Sequence, residues 1–168
     1  MRALAGTGVP VPAMHVLCDD PSVIGTAFYV MDYLDGRILT DAGLPDMSPA
    51  DRKLAYESFS DSLATLHQVD FKAVGLGDFA PPGDYVDRQL ARFTKQYRAA
   101  ETETLPAMER LIELLPTMVP PDRRVGIVHG DYKMGNVMFH ATEPRLIGVL
   151  DWELCTIGDP LADLAFSA

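Results

Sequence analysis

The sequence is poor in the features that mark several large functional classes. Only two cysteines occur in 168 residues, Cys18 and Cys155, and they stand far apart. A disulfide framework is therefore not expected, and two reduced thiols with packing roles are. His15, His67, His129 and His140 form no i, i+4 pair and no Cys-His cluster with metal-site spacing, so a zinc site is not expected. Lys and Arg number 14 against 24 Asp and Glu, a formal net charge of −10. Without a basic surplus or a basic stripe, nothing is present to release counterions from a phosphate backbone, and nucleic acid is not an expected partner. No apolar run approaches the length of a membrane span, and Met1 to Gly8 lacks the apolar centre of a signal peptide. The expectation is a soluble cytoplasmic protein with no membrane partner. A glycine-rich, phosphate-cradling loop is missing as well.

What is present suits one globular domain: 48% of the residues are apolar, enough for a core at this length. Residues 1–6 look like a helix end stopped by Gly6 and Gly8. Met14 to Leu17 and Thr26 to Met31 are predicted strands, paired as a hairpin across the turn at Cys18 to Ser22. Asp35-Gly36-Arg37 is expected to break the second strand. Ser48 has helix-cap chemistry, with Pro49 at the first helical position and Asp51 in the first turn. Leu54, Ala55, Phe59, Leu63 and Leu66 then recur at helical spacing as far as Val69. Gly75, Gly77, Pro81, Pro82 and Gly83 make residues 70–83 a loop. Further helices are predicted from Tyr85 to Ala100 and from Pro106 to Met118. The second has Met108, Leu111, Ile112 and Leu115 on one face, and Pro116 is expected to end or kink it. Short β runs follow at Val125 to Val128, Asn136 to Phe139 and Leu146 to Leu150, the last two joined by the polar turn His140 to Arg145. Asp159-Pro160 opens a final helix.

The chemistry lies in that last third, in Ile127-Val128-His129-Gly130-Asp131-Tyr132-Lys133-Met134-Gly135-Asn136-Val137 and Leu150-Asp151-Trp152-Glu153. A phosphoryl transfer needs a group that orients or deprotonates the attacking hydroxyl, and cations on the transferring phosphate. Asp131 suits the first task, on a loop just after a glycine that permits a close turn. Asn136 and Asp151 suit the second, because both offer the hard oxygen ligands magnesium prefers. The intervening hairpin is expected to bring Asp151 back beside Asn136. His129 is expected to bond to neighbouring backbone. Asp163, one turn into the final helix, is expected to accept hydrogen bonds from the loop and fix its shape. Taken singly, each acid is explained by turn or cap chemistry, as capping explains Asp159. The ordered set is not. His67 reads as a packing or helix-end histidine, and Trp152 as a core residue before a stacking platform. Tyr85, Arg88, Arg92 and Tyr97 suit an acceptor site or a solvated face equally well.

These two segments, with Gly158-Asp159-Pro160-Leu161-Ala162-Asp163-Leu164-Ala165, resemble the aminoglycoside phosphotransferase and choline kinase-like family. The likeness is in particular to the kinase-like domain fused to some acyl-CoA dehydrogenases and its free-standing bacterial relatives. Gly8-Val9-Pro10-Val11-Pro12, Phe28-Tyr29-Val30-Met31-Asp32-Tyr33-Leu34-Asp35-Gly36 and Leu63-Ala64-Thr65-Leu66-His67 agree, so the resemblance covers essentially the whole chain. It implies an α+β, protein-kinase-like fold. Residues 1–34 would be a remnant of the small lobe (a helix end and two strands) with the hinge, and residues 35–168 the helical C-lobe, cut short in its last helices. It implies ATP or GTP with Mg2+, and a small-molecule hydroxyl acceptor. Asp131 would be the catalytic Asp, and Asn136 and Asp151 the metal ligands. Asp32, Tyr33 and Leu34 would hold the adenine through backbone groups. The dehydrogenase fusion suggests, by analogy, a hydroxyacyl-CoA as acceptor. Family members carry a glycine-rich loop, a strand lysine and a helix glutamate ahead of this stretch. The chain is thus expected to be truncated at both ends, with a complementing N-terminal segment as a partner. The competing reading is a non-catalytic, pseudokinase-like binding module or a gene fragment.

Overall fold

Three small antiparallel sheets and four helices carry the described part of the chain, an α+β arrangement. The structure, a computed structural model, describes residues 1–81, 83–121 and 123–167. Pro82, counted above among the loop breakers, and Ala168, where truncation is expected, lie outside the described residues. Strands β1 (Met14–Cys18) and β2 (Phe28–Met31) form the expected hairpin, and the Asp32 amide extends the ladder by donating to Ala13 O at 2.9 Å. Ahead of them, Arg2–Leu4 is a single 3-10 turn and not an α-helix end.

Where a strand break was expected at Asp35 to Arg37, Gly36–Arg37 makes a two-residue edge strand, β3, against β5 (Val137–His140), and β6 (Leu146–Val149) completes that sheet. The glycine is what lets the edge approach: a Cβ at Gly36 would sit 2.7 Å from Met138 Cγ. Helix α1 (Pro49–Gln68) is capped by Ser48, whose Oγ accepts from the Asp51 amide at 3.1 Å. Its buried stripe is Ala55, Phe59, Ser62, Leu63 and Leu66. Leu54 is exposed, since its neighbour Ala55 takes the inward position and adjacent residues are turned about 100° apart on a helix.

Helices α2 (Tyr85–Ala100) and α3 (Pro106–Met118) pack on each other and carry no fully buried residue. Arg98 joins them through Glu109, and it also pairs with Glu101. Pro116 does not stop α3, which runs two residues further; so near the end its missing N–H removes little of the hydrogen-bond ladder. Leu111 on the predicted apolar face is exposed.

Like β3, a further strand escaped the sequence reading. β7 (Thr156–Gly158) pairs antiparallel with β4 (Gly126–Val128), and all three β4 residues are buried. Helix α4 (Leu161–Ser167) follows at once, with Asp159 Oδ1 accepting from the Leu161 amide at 3.0 Å. The core joins Phe59, Leu63 and Leu66 of α1 to Ile127, Tyr132, Val137, Phe139 and Val149 of the strand region. No described helix is long and apolar enough to cross a membrane.

Candidate active site

The loop from His129 to Asn136 leaves β4 at a glycine whose backbone conformation and close neighbours disfavour any side chain. Gly130 has φ +86°, and a Cβ there would meet Leu154 O at 2.6 Å. Three anchors hold the loop from below. Asp163 of α4, fully buried, accepts from the His129 amide through Oδ2 and from the Gly130 amide through Oδ1, both at 2.8 Å. His67 Nε2, at the end of α1, lies 3.0 Å from the same Oδ2. Tyr132, also fully buried, donates its hydroxyl to Phe59 O of α1 at 2.8 Å and packs its ring on Phe59 with centroids 4.4 Å apart. Burial pushes the Tyr132 phenol above its ordinary range, so it stays a neutral donor.

The His129 ring ties the loop to the strand end beyond it. Nε2 lies 2.8 Å from Leu150 O, and Nδ1 accepts from the Asp131 amide at 3.3 Å. A carbonyl only accepts, so Nε2 carries the proton; Nδ1 accepts, so it carries none. The neutral ring satisfies both bonds. Burial holds the imidazole below its ordinary value, against weaker opposing pulls from Leu150 O and the nearby acids. Trp152 covers the ring at 4.7 Å between centroids and donates its indole N–H to Val149 O, which makes it part of the loop's support.

At the surface of this scaffold stand the polar groups. Asp131 Oδ2 accepts from Lys133 Nζ and from Asn136 Nδ2, each at 2.7 Å, and Asn136 Nδ2 also donates to Asp131 O at 2.9 Å. Both of those partners are acceptors, which fixes the Asn136 amide and points its Oδ1 elsewhere. The Asp131 carboxyl is held below the usual carboxylate range by the Lys133 ammonium first and by Asn136 second, with partial burial acting the other way. Among the described residues nothing donates to Asp131 Oδ1.

Asp151 lies at the end of the hairpin. Val137 pairs with Val149, and the Leu150 amide donates to Asn136 O at 2.9 Å, so the two segments run side by side at this point. Asp151 itself has φ 59° and ψ 60°, a left-handed conformation uncommon outside glycine. It is exposed and makes no capping bond. No cluster of three His, Cys, Asp or Glu able to hold a metal exists among the described residues. An ion here would rest on Asn136 Oδ1 and Asp151 and take its other oxygens from water or phosphate. That donor set fits magnesium, which binds through one or two carboxylates and keeps such ligands.

The strand exit at Asp32 to Leu34 is mixed in character. Asp32 Oδ1 pairs with His15 Nε2 at 2.6 Å, Tyr33 is 90% exposed, and Leu34 packs where a Cβ on Gly148 would collide with its Cδ1. A cleft of about 690 Å³ is lined by Phe59, Leu63, His67, Arg123, Pro160 and Leu164 among others, and by none of Asp131, Asn136 or Asp151. Arg88 is bound to Gly83 O and to Ile157 O at 3.4 Å, which gives it a structural use. Lys133 and Tyr132 had no role in the motif reading. The local signal for Lys133 was a cation two positions after the loop acid; for Tyr132 it was an aromatic inside a polar loop.

The whole chain, residues 1–168, matches the model of the phosphotransferase enzyme family. The chain belongs to that family. Mouse acyl-CoA dehydrogenase family member 10 is 48% identical over 167 residues, 99% of this chain and 16% of the mouse protein. A Ralstonia eutropha protein provisionally assigned to the aminoglycoside phosphotransferases superposes with a TM-score of 0.93 at 50% identity, over 99% of this chain and 51% of that one. An APH(2'')-IIa phosphotransferase solved with streptomycin and ATP superposes with a TM-score of 0.66 at 25% identity, over 96% of this chain and 55% of that one. The fold of this phosphotransferase-family chain is thus kinase-like, and the chain spans about half of such solved structures and a smaller share of the curated relatives.

Proposed function

We propose that the protein transfers the γ-phosphoryl group of ATP or GTP to the hydroxyl of a small molecule. The observation that carries this is the divided carboxylate of Asp131, with Oδ2 held by Lys133 and Asn136 and Oδ1 open. Oδ1 receives and orients the acceptor hydroxyl. As the acceptor oxygen bonds to the γ-phosphorus, the bridging P–O bond breaks and the nucleoside diphosphate leaves with its electron pair. The hydroxyl proton passes to Asp131. A carboxyl held below its usual range is a weak base, so its main contribution is orientation, with proton transfer late in a loose transition state. Asn136 and Asp151 would hold Mg2+, which would supply positive charge against the phosphates. His129 and Asp163 keep the loop in register. The Asp32 amide is engaged in the sheet, which leaves its carbonyl, with the backbone of Tyr33 and Leu34, for the adenine.

The ATP-bound phosphotransferase neighbour supports the nucleotide. The acyl-CoA dehydrogenase relative supports a hydroxyacyl-CoA as the acceptor. In this reading residues 1–34 serve as small-lobe strands and hinge, and residues 35–168 as the large lobe. Two free cysteines support a cytoplasmic location.

The test is a matched series on two carboxylates. Asp131→Asn is expected to abolish transfer and leave nucleotide affinity nearly intact, since it faces the acceptor. Asp151→Asn is expected to weaken both Mg-nucleotide binding and turnover. Full turnover by Asp131→Asn would remove the proposed mechanism.

A further inference from the structure

We propose that the acceptor of this phosphotransferase carries phosphate groups, and that they dock on a cationic face formed by Arg92 and Lys95 of α2 with Arg124 ahead of β4. The proposal rests on the phosphotransferase reading above and deepens it at the acceptor. Tyr85, Arg88, Arg92 and Lys95 recur at steps of three, four and three, which sets them along one side of α2. Asp87 is the one acid of that helix, and it is turned about 100° away from Arg88. At the first turn of α2, Arg123 and Arg124 line a cavity of about 150 Å³ together with Tyr85, Arg88 and Gly158. Arg88 Cζ lies 5.9 Å from the centre of the Tyr85 ring. Burial raises the Tyr85 phenol first and Asp163 adds to it, while Arg92 and Arg88 pull the other way, so both guanidiniums stand near that hydroxyl.

The cations of this face differ in what holds them. Arg88 is committed to Gly83 O and Ile157 O. Arg123 gives Nη2 to Asp84 Oδ2 at 2.7 Å, while its buried Nη1 meets no partner among the described residues. Arg92, Lys95 and Arg124 are exposed, and no described carboxylate lies within ion-pair distance of them. In a chain of net charge −10, acids are plentiful, and cations gathered without them are open to an outside anion. Phosphate suits such a group, since its several oxygens take more than one cation and match the arginine fork. A long nucleic acid does not, because Asp84 and Asp159 also line the cavity and repel a polyanion running past it. The nucleotide co-substrate belongs elsewhere: none of Asp32, Tyr33, Leu34, Asn136 or Asp151 lines this cavity. The face is nonetheless tied to the catalytic loop. Tyr85 rests on Gly158, where a Cβ would meet its Cδ2 at 2.5 Å, and Gly158 pairs with Gly126 of β4, the strand whose other end leads into the loop of Asp131. An elongated acceptor can then set its hydroxyl at Asp131 and its phosphates on α2. The hydroxyacyl-CoA of the reading above has that form, with its pyrophosphate and 3'-phosphate at the end away from the acyl chain.

The probes are CoA, dephospho-CoA, which lacks the 3'-phosphate, and pantetheine, which lacks every phosphate. Their affinities are measured by isothermal titration with the nucleotide site saturated by AMP-PNP and Mg2+. The proteins are wild type, Arg92→Gln, Lys95→Gln, Arg124→Gln and the double variant Arg92→Gln, Arg124→Gln. Glutamine keeps helix propensity and removes the charge. Lys53→Gln, which removes an exposed cation of α1 paired with Glu57, is the charge control. Wild type is expected to bind CoA most tightly and pantetheine most weakly. Each single variant is expected to lose about threefold to tenfold in CoA affinity, and the double variant more, while pantetheine and AMP-PNP affinities hold. Lys53→Gln is expected to match wild type. If wild type binds pantetheine as tightly as CoA, if CoA binds only when AMP-PNP is left out, or if the double variant binds CoA as wild type does, the phosphate face is overturned and the phosphotransferase reading stands. Failure of wild type to bind AMP-PNP with Mg2+ overturns both.

Discussion

His129 is a titratable residue whose surroundings accept only one protonation state. Its Nε2 proton is committed to Leu150 O, and Nδ1 must stay bare to receive the Asp131 amide. Adding the second proton would break that bond inside a buried pocket. The imidazole therefore titrates below its ordinary 6.5, chiefly because burial disfavours the cation. A depressed folded-state value means that the stabilisation is fully present above pH 6.5 and is lost as the pH falls through the folded-state value. The difference in unfolding free energy between wild type and His129→Gln is expected to be largest above pH 6.5 and to shrink as the pH falls below it. Urea titrations across that range measure it, and a difference independent of pH would contradict the neutral-ring assignment. The neighbouring Gly130 gives a sharper effect. Gly130→Ala places a methyl against the Leu154 carbonyl at a left-handed φ, and is expected to cost about 2–3 kcal/mol. Gly135→Ala, with nothing within 4 Å of its Cβ, is expected to be close to neutral. Comparable melting temperatures for the two variants would show that the loop gives way.

Between elements, the junction that matters is α4 to β4 through Asp163. Both carboxylate oxygens are used, one for each backbone amide at the strand end. Asp163→Asn keeps the shape and replaces one acceptor oxygen by a donor, which leaves a buried amide unpaired at about 1–3 kcal/mol. Hydrogen exchange at His129 and Gly130 is expected to speed up in that variant while exchange within α1 stays slow. Unchanged protection at both amides would mean that the strand, and not the helix, holds the loop. The helices and the β5–β6 hairpin were legible because each is coded locally, by Ser48-Pro49, by apolar residues at helical spacing, or by a polar turn between two apolar runs. β7 was not, since Thr156-Ile157-Gly158 is too short to show alternation and becomes a strand only against β4, some thirty positions earlier. The bond from His67 to Asp163 spans 96 positions, and no local pattern distinguishes such a histidine from one that merely packs. Lys133 was not legible as part of the site, because its pairing with Asp131 is set by the path of the loop backbone.

For the molecule as a whole, charge and apolar surface oppose each other. The hairpin β1–β2 and its turn expose Val16, Leu17, Val23, Ile24, Tyr29 and Val30, with Leu17 67% accessible. The last helix exposes Leu161, Leu164 and Phe166. Apolar surface gathered in patches, and not scattered singly, favours association. A net charge of −10 resists it, by a repulsion that acts over roughly 10 Å at 0.1 M salt and about 3 Å at 1 M. Burial of apolar area is not screened in this way, and it strengthens slightly with excluded salts. Raising the ionic strength should therefore shift the balance toward self-association, the reverse of what an assembly held by ion pairs would do. Sedimentation velocity at low salt and again near 0.5 M sodium sulfate reads the direction. The expected outcome is a larger mean sedimentation coefficient at high salt, and a smaller shift in a Leu17→Glu, Val30→Lys variant that breaks the hairpin patch. If the chain stays monomeric at both salts, the hairpin and α4 faces are too divided to drive association. If it associates only at low salt, charge pairing and not apolar surface holds the copies together.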